Sequence, residues 1–224
     1  MARKYKNKEK IMLKKDISKL VKNNRKEFRM SNYKNIKEYN PYGNQEIKDK
    51  KTILEFIETF ENNLLRENCF GHLTASTWVL NEDLSKILFL YHNDFKGYIY
   101  PGGHADGEEN LLKVALKELE EETGLDDVIV YNEIFSLECA PVSNHIKRGE
   151  NISAHIHHNI SYLVIVKNDH MSKIRILETE NSSVEWFEIS NVDINKLVKW
   201  FQPVFVNVRE KIISDKDKIR KAIK

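Results

Sequence analysis

The sequence predicts an α/β protein built on a mixed sheet, and three observations carry that reading. Runs of alternating or β-branched residues fall at 71–80, 86–93, 128–142, 153–167 and 184–189. One strongly helical segment, ending at Gly124, interrupts them. Amphipathic stretches with helical spacing flank the whole set on both sides.

The chain starts with a basic segment. Residues 1–30 carry 12 Lys and Arg against 3 Asp and Glu, a balance of +9 that leaves −7 on the rest of the 224 residues. Ile17, Leu20, Val21 and Phe28 sit at near-helical spacing among the lysines. That pattern fits a basic amphipathic helix able to touch RNA or an anionic surface, or a solvated extension. Met30 offers an alternative start.

Residues 31–47 read as a loop. Ile53, Leu54, Phe56, Ile57, Phe60 and Leu64 then mark a helix over 49–68 that packs on the main domain. The strands at 71–80 and 86–93 form a hairpin through Asn81-Glu82-Asp83, and 98–100 is a short strand. After the central helix come the two long strands, joined by the polar segment 143–151, and then the strand at 184–189. Helices at 191–200 and 204–213 close the chain, with Pro203 at a helix start. The expected division is a 1–30 extension, a 31–69 loop and packing helix, a 70–215 main domain and a charged 216–224 tail.

Composition excludes several classes. At 41% hydrophobic and 31% charged the chain can bury a core and stay soluble. No apolar run approaches the ~18 residues of a membrane span. The start lacks the apolar segment of a secretory signal. Cys69 and Cys139 form no disulfide or zinc pattern, fit a reducing cytoplasm, and read as buried small hydrophobes.

The informative stretch is 100–125, YPGGHADGEENLLKVALKELEEETGL. A Pro-Gly-Gly turn leads to Asp106, which is expected to cap the helix with Glu109 completing a capping box. Gly124 suits a left-handed stop. Glu118, Glu121 and Glu122 share one face at i, i+3 and i+4. Like charges at these spacings repel by a few tenths of a kcal/mol per pair, at the end of the helix that prefers cations. The same face continues into Leu111, Val114 and Ala115, so it enters structure. A divalent cation with hard oxygen ligands, Mg²⁺ foremost, relieves the crowding.

These residues resemble the signature box of the Nudix hydrolases: Gly103, then Glu109, then Lys117-Glu118-Leu119-Glu120-Glu121-Glu122-Thr123-Gly124-Leu125. All fixed positions match but one, where the family's arginine is Lys117. The resemblance covers roughly residues 70–190 and implies an α/β/α sandwich with a mixed sheet. It further implies that Glu118, Glu121 and Glu122 bind metal with the Gly103 carbonyl, and that Glu109 and Lys117 orient them. Lysine supplies a point charge where arginine supplies a planar fork. The family often places another glutamate before the last strand. Glu180 is the candidate base there, with Glu178 and Glu185 as rivals.

Other side chains are less determined. His155 and His157 point the same way from one strand and are expected to line the substrate pocket with His104, touching phosphate or base. The alternatives are a structural role, or a transition-metal site needing a third nitrogen or sulfur ligand that the sequence does not place. Tyr98, Tyr100 and Trp78 can stack a nucleobase, although such aromatics are more often core.

The resulting expectation is an Mg²⁺-dependent hydrolase, with Mn²⁺ as substitute, cleaving the diphosphate linkage of a nucleoside diphosphate derivative. Three alternatives stay open: an isopentenyl-diphosphate isomerase-like protein, a nucleotide sensor that keeps the fold, and an RNA 5′-end pyrophosphohydrolase using residues 1–30.

Overall fold

The computed structural model describes residues 32–147, 149–176 and 181–222, so the expectation for residues 1–30 lies outside the described residues. The helices are α1 (32–38), α2 (Gly43–Thr59), α3 (Leu111–Thr123), α4 (Phe201–Ser214) and α5 (Lys216–Ala222). The strands are β1 (Gly71–Asn81), β2 (Lys86–His92), β3 (Gly97–Ile99), β4 (Gly102–His104) and β5 (Ile129–Val142). Then follow β6 (His145–Lys147), β7 (Glu150–Ile152), β8 (His155–Val166) and β9 (Asn181–Glu188).

The main sheet runs β3-β2-β1-β8-β5, with β4 paired to β1 and β9 to β2. Only β1 and β8 are parallel among these pairs, so the sheet is mixed as expected. Both hairpins form: β1 with β2, and β5 with β8, whose connection carries the small β6–β7 ribbon.

Strand alternation sends the two faces of β1 to different partners. Leu73 and Ala75 join Leu137 and Ile160 in a cluster with α2 (Ile53, Ile57) and α3 (Leu111, Val114, Ala115). Trp78 points the other way and stacks on Phe201 of α4, ring centroids 5.3 Å apart, within the larger cluster. Helices therefore cover the sheet on both sides, the α/β/α arrangement.

Three local expectations need correction. Residues 31–47 do not form one loop: 32–38 are helical, and α2 starts at Gly43 and ends at Thr59. The early start follows from Glu46, a buried carboxylate that accepts the Tyr42 N–H, the Tyr39 hydroxyl at 2.7 Å and the Leu137 N–H at 2.7 Å. Lys211 of α4 reaches the same spot, donating to the Tyr39 hydroxyl at 2.8 Å and the Phe135 carbonyl at 2.6 Å. Residues 191–200 do not form an α-helix. They hold the end of one 3₁₀ turn, Ile189–Asn191, and a second, Ile194–Lys196, because Leu197 bridges Tyr98 and the Val198 N–H donates to the Tyr98 carbonyl at 3.1 Å. The charged tail is helical as α5, anchored by buried Ile219.

Candidate active site

The turn before α3 differs from its expected form. Asp106 and Gly107 adopt φ of 48° and 87°, and the Glu108 N–H returns to the Ala105 carbonyl at 2.8 Å. Two consecutive positive φ values make this a type I′ turn, for which Asp-Gly is suited. Asp106 therefore cannot cap the helix. Its carboxylate takes both guanidinium arms of Arg66, which hold it below the usual carboxylate range. Asn110 caps instead, accepting the Lys113 N–H at 3.0 Å. At the far end Gly124 stops α3 with φ 72°, as expected.

That turn sets β4 against the carboxylate face of α3. A Cβ built on Gly103 would lie 2.3 Å from Glu118 Cδ, so any side chain here would push the Glu118 carboxylate out of its place against the strand. Glu118 is largely covered, its side chain 22% exposed, and burial raises its pKa against the opposing pull of Lys117. Glu122 is held at both oxygens: Oε2 accepts the Gly102 N–H at 2.9 Å and Oε1 accepts Asn181 Nδ2 at 2.8 Å. Glu121 is the open member, 51% exposed. Lys117 Nζ bridges Glu121 Oε2 at 2.6 Å and Glu118 Oε1 at 3.3 Å, and pairing with these carboxylates raises its pKa. Glu109 is half-buried, and its carbonyl accepts Asn32 Nδ2 at 2.6 Å.

A cation fits this donor set. The donor atoms on offer are all oxygens, as hard divalent ions require. Lys117 already places a positive charge between two of the three carboxylates. Beside Glu122, the buried Asn181 Oδ1 finds no hydrogen-bond partner among the described residues, which leaves one more oxygen for an ion or its water. Glu178 and Glu180 lie outside the described residues. Glu185 is turned away, bonded to Ser183 and Tyr98, which lower its pKa.

The histidines are brought together, but on the other face of β4. Gly103 pairs with Ala75, on the α3 side, whereas His104 pairs with Thr74, on the opposite side. There His104 meets His157, Nε2 to Nε2, at 3.3 Å, and His157 meets His155 likewise at 3.2 Å. His72 on β1 lies in register with His157 on β8 and completes the group. Burial lowers the pKa of His157, and that of His72 to about 4, so both rings are neutral near pH 7. His158 faces away and stacks on Phe56 at 4.0 Å.

A polar seam continues inward from the histidines. Thr74 donates to Asn159 Oδ1 at 2.9 Å, and Ser76 and Ser161 share a 2.7 Å contact. The seam ends on Glu138, 1% exposed, which accepts the Tyr100 hydroxyl at 2.6 Å, Ser161 Oγ at 3.0 Å and an Asn159 amide hydrogen. Burial pushes the Glu138 pKa up to about 7. Trp78 and Tyr100 are buried in this interior, so neither presents a face to a base. Cys139 is partly buried and near His158, but Cys69 is exposed, against expectation.

His72, Asn181, Glu138 and the Arg66–Asp106 pair escaped sequence reasoning. Each acts through a partner distant in the chain. The one available signal was the GHLT start of β1, meaningful only once β1 is known to pair with β8.

Fold and site together define a class: a sandwich hydrolase whose central helix sets three carboxylates against a glycine turn. The family model for the NUDIX domain matches residues 71–207, and the chain belongs to the Nudix hydrolase family. It is thus an enzyme. No curated protein matches the chain. Among solved structures, the dihydroneopterin triphosphate pyrophosphohydrolase of E. coli aligns at 14% identity with a TM-score of 0.46, covering 63% of this chain and 95% of that one. A NUDIX-family hydrolase from Clostridium perfringens aligns at 18% identity and TM-score 0.44, covering 63% and 97%. The C. elegans Ap4A hydrolase aligns at 14% and 0.44, covering 62% and 94%. No helix among the described residues is long and apolar enough to cross a membrane.

Proposed function

We propose that the protein hydrolyses the diphosphate linkage of a nucleoside diphosphate derivative, using Mg²⁺ or Mn²⁺ held by Glu118, Glu121, Glu122 and the Gly103 carbonyl. The observation that carries this reading is the close seating of Gly103 on Glu118, with Glu122 fixed by Gly102 and Asn181. When bound, the cation supplies charge neutralisation at the phosphates and acidifies a water. Glu118 and Glu122 provide rigid negative charge, since their carboxylates are positioned before any ligand arrives. Glu121, the open member now paired with Lys117, would hold the cation with the other two. Glu109 and Lys117 orient the set.

Glu180 is the proposed base, because it directly precedes Asn181, the residue whose amide holds Glu122. Residues 70–215 carry the reaction. The histidines His104, His155 and His157 turn their nitrogens toward one another, so a direct grip on phosphate is not assigned to them. Base and sugar selection belongs to loops whose sequence carries no code.

The test is Glu121→Gln and Glu122→Gln, assayed on a panel of nucleoside diphosphate derivatives with Mg²⁺ and Mn²⁺. Turnover should fall at least about a hundredfold, roughly 2.7 kcal/mol of transition-state stabilisation, with the melting temperature unchanged. Equal Mg²⁺-dependent turnover in both variants would defeat the proposal.

A further inference from the structure

The carboxylates of α3 are one concentration of donor atoms, and the seam on the opposite face of β4 holds a second, made of nitrogen. We propose that His72, His104, His155 and His157 together bind one divalent transition-metal ion of the zinc class, separate from the cation of the carboxylates. This goes beyond the hydrolase reading and does not depend on it.

Distances give the first argument. His157 Nε2 lies 3.3 Å from His104 Nε2 and 3.2 Å from His155 Nε2. Four nitrogens placed tetrahedrally around zinc at its usual bond length stand about 3.3–3.4 Å apart. The two contacts match edges of such a tetrahedron; the donor atoms of His72, His104 and His157 all lie within 4.8 Å of one another, and His155 joins them through His157. As hydrogen bonds the two contacts conflict, because a neutral imidazole nitrogen carries one hydrogen or one lone pair, and His157 Nε2 faces two partners. An ion between the rings gives every lone pair a use.

Tautomer gives the second. His155 Nδ1 faces the Ser153 carbonyl at 2.8 Å and must donate to it, which leaves the lone pair on Nε2, the atom aimed at the cluster. A backbone carbonyl on the far ring nitrogen is how metal-bound histidines are commonly oriented.

The third is His72. It is 3% exposed, and neither ring nitrogen has a hydrogen-bond partner among the described residues. A buried imidazole without partners is costly to hold unless something accepts its lone pair. Its ring lies 5.0, 5.0 and 4.8 Å from those of His104, His155 and His157, and its donor atom falls within 4.8 Å of those of His104 and His157.

The donors decide the metal. Four imidazoles and no carboxylate suit zinc, cobalt, nickel or copper and reject Mg²⁺ and Ca²⁺, which want oxygen. Asp106, the nearby acid, is occupied by Arg66. Four protein ligands close the shell, so the ion is structural. It clamps β4 to β1 and β8, and β4 is the strand that presses Gly103 on Glu118.

The experiment uses the full chain, stripped with a chelator and titrated with Co²⁺ and then Zn²⁺ in excess Mg²⁺. The expected result is one Co²⁺ per chain with the intense visible bands of a tetrahedral complex, displaced by Zn²⁺. Affinity should drop about a hundredfold in His155→Ala and His157→Gln and stay unchanged in Glu121→Gln. His155, at the open end of the group, is the variant that spares the fold. A wild-type spectrum without tetrahedral bands overturns the proposal whatever the variants do. So does binding that survives both histidine changes, or that vanishes in Glu121→Gln, since the ion then sits on the carboxylates. Loss of hydrolysis in Glu121→Gln reports on the hydrolase reading alone.

Discussion

The two donor clusters lie back to back across β4 and handle polarity in opposite ways. On the α3 side the groups are acidic, partly open, and two of them pair with Lys117, which is 57% exposed. On the other side the groups run from the partly covered His104, His155 and His157 through buried His72 to the fully enclosed Glu138. Water reaches Lys117 and Glu121, so that pair can be rearranged at little cost, as exchange of a lysine for a cation requires. Little water reaches the inner members of the second, so each of those donors must find an acceptor or an ion. One short strand serves both, because successive residues of β4 face opposite sides.

The largest way to break that comparison is to fill the gap on the open side. Gly103→Ala places a methyl 2.3 Å from Glu118 Cδ, so the carboxylate or the strand must move by more than an ångström. Misplacement on that scale costs about a hundredfold in rate. Turnover should fall by that much or more, with little change in Mg²⁺-independent folding measured by thermal melting. Wild-type turnover in Gly103→Ala would mean that Glu118 is not seated on the turn during the reaction.

On the buried side the corresponding change is Glu138→Gln, which keeps the shape and the acceptor for Tyr100 and removes the charge. The folded-state pKa of Glu138, about 7, stands above its ordinary 4.5. The native state therefore keeps the proton longer than the unfolded chain does. Its contribution is most favourable below pH 4.5, declines as pH rises toward 7, and is flat above. Glu138→Gln should stabilise the protein by about 2 kcal/mol at pH 8 and by almost nothing at pH 4.5. Denaturant melts of both proteins at the two pH values check this. The difference between them isolates Glu138 from the histidines, whose lowered pKa values weaken the fold at acid pH in both. A pH-independent difference would show that Glu138 is ionised in the fold.

The same contrast explains what was legible in the sequence. The carboxylate cluster is written within one helix, where Glu118, Glu121 and Glu122 fall on a face by spacing alone, and Gly124 ends it as read. The buried cluster is assembled from β1, β4, β5 and β8. His72 and His157 are neighbours only because β1 and β8 pair in parallel, a fact held by no local pattern. Even beside the box, Asp106 was misread as a cap, since Asp-Gly serves both caps and I′ turns and the Arg66 partner that favours the turn lies 40 residues away. Alternation marks the five long strands, whereas β4, β6 and β7, three residues each, are too short to show it. Residues 191–200 were misread, because their helical spacing yields to pairing with Tyr98.

Lys117 tests the smallest and most specific part of the comparison, the claim that the open cluster is held by an exchangeable charge. Its ammonium occupies the place of the family's arginine and touches both Glu118 and Glu121. Removing it leaves three carboxylates with less to balance them, so a divalent ion is attracted more strongly while the side chains are held less firmly. Lys117→Ala should therefore lower the Mg²⁺ concentration for half-maximal activity and lower kcat, each by about two- to fivefold, within the range of a partly screened ion pair. Lys117→Arg, with a fork able to engage both carboxylates, should keep the wild-type Mg²⁺ dependence and raise kcat by no more than about threefold. Mg²⁺ titrations of turnover separate the two effects. If Lys117→Ala instead demands more Mg²⁺, the lysine assists cation binding rather than competing with it, and the open cluster is as pre-assembled as the buried one.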